Sequence, residues 1–276
     1  MRSWSCVSMP FTCRWGAGAA GDGKLFWTGG DDGNGSPDAS LWIFYPKERR
    51  WRRGPDLPVP VSWHSCALLG EELFCVGGRT KNGPTGEVQV YHIPTGRWRR
   101  FTPLPRPVWQ HSTAVVGEEL LCLGGVGGGK TLDTVWRLDQ NRAEWQACPP
   151  LSIPRRGHTC QTLGDKVYCM GGSSVEGPGA VEAVEERDPV TGMWRIIGTL
   201  PSPGWCGGST LWENEFLYAG FGQKRLRKLS PLYGCCQSGP LLPGENAGIR
   251  LFTVDNYLLA TDGICLWQRC GTENIL

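Results

Sequence analysis

The sequence lacks most of what would make a chain helical, membrane-spanning or strongly charged. No stretch of its 276 residues keeps a helical apolar period for long, and Ala, Leu, Glu and Lys are not enriched, which excludes a mainly α-helical core. No run of 18 apolar residues occurs, so no membrane partner is expected. The opening MRSWSCVSMPFTC has no continuous apolar core of the kind a signal peptide needs. A formal charge of +2 is close to balance and argues against a general nucleic-acid binder held by phosphate contacts. The 13 cysteines are odd in number and include no CxxC pair. Cys75, Cys122 and Cys169 each stand two residues before a glycine pair, as core thiols on buried strands would. Reduced thiols place the chain in the cytoplasm or nucleus, with a secreted, disulfide-bonded form as the alternative.

What is abundant is punctuation. Forty Gly and 21 Pro separate short apolar runs, the composition of many turns and short strands. Residues 63–105 read as an apolar run ending in Gly77-Gly78, a polar loop, a second run through Tyr91, and Trp98. The pattern returns at 110–149 and 157–201, with further glycine pairs at 29/30, 124/125 and 171/172 and weaker echoes at Ala219-Gly220 and Thr261-Asp262-Gly263. Tryptophans follow at 51, 98, 145 and 194, so the period is roughly 47 residues and the chain is a repeat array. Each unit divides into four strands A to D. In the second these are 65–69, 73–76, 87–93 and 97–101, with Pro94-Thr95-Gly96 turning C into D.

One four-stranded sheet cannot bury both faces, whereas sheets stacked radially around an axis can. The combination of Gly pair, aromatic and Trp resembles the kelch repeat over essentially the whole chain, most like the kelch domains of Kelch-like proteins. The resemblance implies an all-β, six-bladed kelch β-propeller in a single domain, 1–276. Its blades fall near 14–54, 62–103, 109–150, 156–200, 204–242 and 247–276, the last completed by strand 2–6. Trp4 lies 47 residues before Trp51, which makes residues 2–6 a strand D with no A, B or C before it, so the N-terminal strand closes the last blade. Unit five has one Gly where the others have two and no Trp in strand D. It reads as a distorted blade with Cys235-Cys236 at strand D.

Several motifs look chemical until they are placed in register. Gly124 to Thr131, GGVGGGKT, satisfies the P-loop expression, but LDTVWRLD after it aligns with strand C rather than with a helix N-terminus. Gly16 to Gly21, GAGAAG, matches GxGxxG yet falls on strand A of the first blade. His64, His111 and His158 occupy one position in three blades, which spreads them around the channel and favours packing over a shared metal. Arg49-Arg50-Trp51-Arg52-Arg53 and Arg97-Trp98-Arg99-Arg100 flank the strand-D Trp, where charge blocks edge-to-edge pairing, so nucleic acid is not the expected partner. The chain shows neither a Tyr–Tyr–His–His grouping of the galactose-oxidase type nor a sialidase Asp-box. No enzyme activity, cofactor or metal is expected.

Positions that vary between units are free to recognise something. Before strand A the units read Arg14-Trp15, Ser62-Trp63, Trp109-Gln110, Arg156-Gly157 and Gly204-Trp205; after the Gly pair they carry Arg79 and Ser173, among others. Propeller geometry brings these D–A and B–C loops to one rim of the channel. In Kelch-like proteins that rim docks a short substrate peptide. The resemblance therefore assigns partner binding to Arg14, Trp15, Ser62, Trp63, Arg79, Trp109, Gln110, Arg156, Ser173 and Trp205, with arginines pairing acidic groups and tryptophans covering apolar ones. It implies a protein-binding module that recognises substrates for a cullin ubiquitin ligase; the alternatives are a cytoskeletal or scaffolding kelch protein and, more remotely, a propeller oxidase or hydrolase. Kelch-like adaptors reach the cullin through BTB and BACK domains absent from this chain. It is therefore expected to be a fragment or isoform of such an adaptor, or to act without a cullin.

Overall fold

The computed structural model describes residues 4–12, 14–32, 34–139, 141, 143–175, 179–201, 204, 206–230, 236–242 and 248–271. Among the described residues six four-stranded antiparallel sheets form the blades, three two-stranded sheets lie beside them, and no helix occurs. In the second blade the strands are Ser65–Leu69, Glu72–Val76, Val88–His92 and Arg97–Phe101, hydrogen-bonded in that order from A to D. Strand B is buried along four successive residues in every blade, so the centre of each sheet is covered on both faces. The strands A of consecutive blades are neighbours, and the first also meets the sixth, which closes the ring. Charged strand D is the outer edge, where Arg50 and Arg52 meet Glu48, and Arg99 meets Glu72.

The last blade is completed by the N-terminal strand Ser5–Val7, with Ser5 opposite Gln268 and Val7 opposite Leu266. Trp4 precedes that strand rather than lying within it. Its indole Nε1 donates to the Leu241 carbonyl of blade five at 2.9 Å. Trp98 and Trp145 make the same reach backwards, to Pro55 at 2.8 Å and Thr102 at 3.0 Å. The indole bond of Trp98 and Trp145 is thus a latch between successive blades, and Trp4 applies it to the closing blade; the Nε1 of Trp51 and of Trp194 has no such partner among the described residues. Blade five pairs Arg225–Leu229 with Cys236–Leu241 through a register shift; Cys235 lies outside the described residues.

The glycine pairs have a steric cause. Gly77 and Gly78 sit at φ of 60° and 101°, and a Cβ on Gly77 would lie 2.7 Å from the Val108 carbonyl and 2.9 Å from the His111 ring. Each repeat histidine therefore packs onto the glycine pair of the preceding blade. Blades one and five carry Gly16 and Gly207 at the histidine position, and Trp27 and Tyr218 in place of the strand-B cysteine. A large strand-B ring replaces the missing imidazole; Tyr218 Oη donates to the Gly204 carbonyl at 2.8 Å.

Candidate functional site: the loop rim and the central channel

The loops entering strand A are built alike. Trp15, Trp63, Gln110, Gly157 and Cys206 all take φ between 52° and 58°, a conformation that non-glycine residues rarely adopt. The N–H of each of the last four donates to the carbonyl of its predecessor, Trp63 to Trp15 at 2.9 Å, Gln110 to Trp63 at 3.0 Å, Gly157 to Gln110 and Cys206 to Gly157 at 2.8 Å. A backbone chain of hydrogen bonds therefore runs around the channel mouth. Cys206 holds this position in blade five, which corrects the register expected for Gly204-Trp205 by one residue. Trp205 itself lies outside the described residues.

Short bridges join the two loop sets, Ser62 to Arg79, Trp109 to Val126 and Arg156 to Ser173, with Arg14 to Asp31 in blade one. The B–C loops of blades two to four fold into two-residue hairpins, Arg79–Thr80 with Gly83–Pro84, Val126–Gly127 with Lys130–Thr131, and Ser173–Ser174 with Gly179–Ala180. The P-loop-like run is one of these hairpins, turning at Gly128 and Gly129 with φ of 58° and 80°, and strand C follows it.

Four of the expected site residues form one continuous surface. Trp15 stacks on Trp63 with ring centroids 4.0 Å apart, Trp63 meets Trp109 edge-on at 6.0 Å, and the Arg79 guanidinium lies 4.8 Å above the Trp109 ring. All four are partly exposed, so an aromatic face remains open to a partner. Arg14 is exposed, Arg156, Gln110 and Ser173 are half-buried, and Ser62 is buried, which leaves Ser62 a backbone role. Arg250 and Asp262, not expected from sequence, line a cavity of about 210 Å³ beside Arg14, Trp15 and Trp27. The Arg250 side chain is held by the Cys206 and Gly207 carbonyls, both at 3.1 Å.

Below the rim the strands A enclose a channel cavity of about 440 Å³, lined by all six blades. His64, His111 and His158 stand in its wall and are buried. Burial, reinforced by His64, pushes the His111 imidazole down to about 3, and burial with Arg155 beside it pushes His158 well below the usual range. The three do not converge on one another. Each of two converges instead on cysteines of its own blade: His64 with Cys66 and Cys75, His158 with Cys160 and Cys169. The signal in the sequence was the repeated H-x-C-x8-C spacing. Burial opposes ionisation of Cys75, but hydrogen bonds from Cys66, His64 and Thr28 outweigh it and bring the thiol to about 6.

The family profile described as the KLHDC2/KLHL20/DRC7 Kelch-repeats domain matches residues 2–172, more than half of the chain. The chain belongs to the kelch-repeat family. No curated protein matches it over its length or in part. The kelch propeller is similar to a solved structure titled "Structure of YjhT", with a TM-score of 0.79 and 16% identity over 97% of each chain. That likeness is one of fold. Kelch propellers are protein-binding modules in general, and no helix here is long and apolar enough to cross a membrane.

Proposed function

We propose that this kelch propeller binds a peptide segment of a partner protein across the Trp15–Trp63–Trp109 face, and that it serves substrate recognition for a cullin-type ubiquitin ligase adaptor. The observation that carries the reading is the stacked tryptophan surface with Arg79 laid over its end. Partly exposed tryptophan and arginine on backbone-locked loops are the residues that dominate binding hot spots, and their ordering cost is already met. Arg14 and Arg156 add positive charge nearby, which favours an acidic segment or a chain terminus. The cullin itself would be reached through a domain outside the propeller.

Two of the three channel histidines are unsuited to acid–base work. His111, held near 3, is too weak a base to move protons at neutral pH, and His158 is shifted in the same direction. Panning a peptide library against the wild type and Trp63→Ala tests the reading. The wild type should enrich acidic sequences with an apolar anchor, and Trp63→Ala should lose at least about tenfold in affinity for them, the loss of one hot-spot side chain. Equal enrichment by both proteins would refute it.

A further inference from the structure

The geometry points to a zinc site between blades one and two, formed by His64, Cys66 and Cys75 with the Thr28 hydroxyl at the fourth vertex. Cys66 and Cys75 are paired across adjacent antiparallel strands, and their sulfurs are 3.3 Å apart. The donor atoms of His64, Cys66 and Cys75 all lie within 4.8 Å of one another. Thr28 reaches in from strand B of blade one: its Oγ1 is 2.8 Å from His64 Nε2, 3.1 Å from Cys66 Sγ and 3.6 Å from Cys75 Sγ. A tetrahedral zinc with bonds of about 2.0 to 2.3 Å holds its donor atoms roughly 3.3 to 3.8 Å apart. The four atoms N, S, S and O thus outline a slightly contracted tetrahedron, and small outward shifts admit the ion.

The surroundings fit the same reading. Thr28, Cys75 and His64 are buried, at 0%, 2% and 6% exposure, and it is the His64 Nε2 that faces Thr28. His64 and Cys66 line the channel, which provides an entry path for a small ion. Two thiolates neutralise the dication, so burial carries no net charge into the interior. As the two Zn–S bonds form, any thiol proton still held leaves to solvent, and the imidazole enters neutral. Because Thr28 belongs to the neighbouring blade, the ion also ties blade one to blade two.

The chain supplies its own controls. Blade three has Thr113 where the first cysteine would stand, opposite Cys122. Blade four repeats His158, Cys160 and Cys169, but Leu123 occupies the position of Thr28, and its sulfurs are 2.6 Å apart, too close for two thiolates on one zinc. Among the described residues one such site follows, in blade two.

The test uses the whole chain, purified under reducing conditions, stripped with a chelator, then titrated with zinc and separately with cobalt(II). The expected result is about one tightly bound zinc per chain, and a cobalt spectrum with a thiolate-to-metal charge-transfer band and intense tetrahedral d–d bands. Cys66→Ser with Cys75→Ser should abolish both, and Cys160→Ser with Cys169→Ser should leave both unchanged. Thr28→Val, which keeps shape and removes the oxygen, should weaken zinc binding roughly tenfold or more, and it decides the matter should the double cysteine variant fail to fold. The proposal is overturned by a wild type without the charge-transfer band, by binding that survives loss of Cys66 and Cys75, or by reduced protein lighter by the two hydrogens of a Cys66–Cys75 disulfide. The inference is independent of the rim.

Discussion

Replacing Arg155 by valine should strand the Glu185 carboxylate in the interior. Both side chains are fully buried, 0% exposed, and ion-paired, and Arg155 also donates to the Gly171 and Ala183 carbonyls, each at 3.1 Å. Glu185 accepts one further bond, from the Ser152 N–H at 2.6 Å. Removing one partner of a buried pair costs about 3 to 5 kcal/mol, because the other charge stays desolvated. The chain contains a neutral version of the same joint. In blade two Val61 stands where Arg155 stands in blade four, and Gln89, in the register of Glu185, bonds the Val59 backbone through both amide atoms at 2.7 and 3.0 Å. Transplanting that solution, Arg155→Val with Glu185→Gln, removes both charges and should return stability to within about 1 to 2 kcal/mol of the wild type. Urea denaturation followed by circular dichroism measures all four proteins of the cycle, and the coupling should be at least about 2 kcal/mol. A single Arg155→Val that loses under about 1 kcal/mol, or a double variant as unstable as the sum of the singles, would refute the reasoning.

Two further outcomes follow from buried groups. His111 ionises near 3 in the folded chain against about 6.5 when unfolded, so the unfolded state binds more protons between those values and stability falls as the pH is lowered. The loss should reach about 2 kcal/mol between pH 7 and 5, with His158 adding in the same sense, and His111→Gln should flatten the slope in denaturation measured across that range. Tyr218→Phe should destabilise the chain by about 1 to 3 kcal/mol, since it takes the phenol acceptor from the buried Gly204 N–H, while the Gly204 carbonyl keeps the Gly172 N–H; a thermal midpoint unchanged from wild type would contradict that role for the ring.

The architecture was legible because it is written as a period. Glycine pairs at fixed spacing mark the end of strand B, where only a residue without a Cβ fits under the next blade's histidine. Trp4 was readable as the closing blade's strand-D tryptophan because it keeps that spacing ahead of Trp51, and its bond to Leu241 repeats those of Trp98 and Trp145. What the period does not encode is contact between units. That Trp15, Trp63 and Trp109 touch depends on loops closed by backbone hydrogen bonds and left-handed φ values, which no local pattern specifies. Convergence of His64, Cys66 and Cys75 depends on the pairing register and on Thr28 from another blade. Cys206 stands one residue later than the spacing places it, so the period alone misaligned the loop of blade five.

The measurement that bears most directly on the rim as a recognition surface is affinity purification with mass spectrometry on the wild type and an Arg79→Ala, Trp109→Ala, Arg156→Ala variant. These side chains are partly exposed, so the variant should keep the wild-type circular dichroism spectrum. The account predicts that a discrete set of partners bound by the wild type is lost by the folded variant. An unchanged partner set would contradict it and would move recognition to the opposite face or the outer strands.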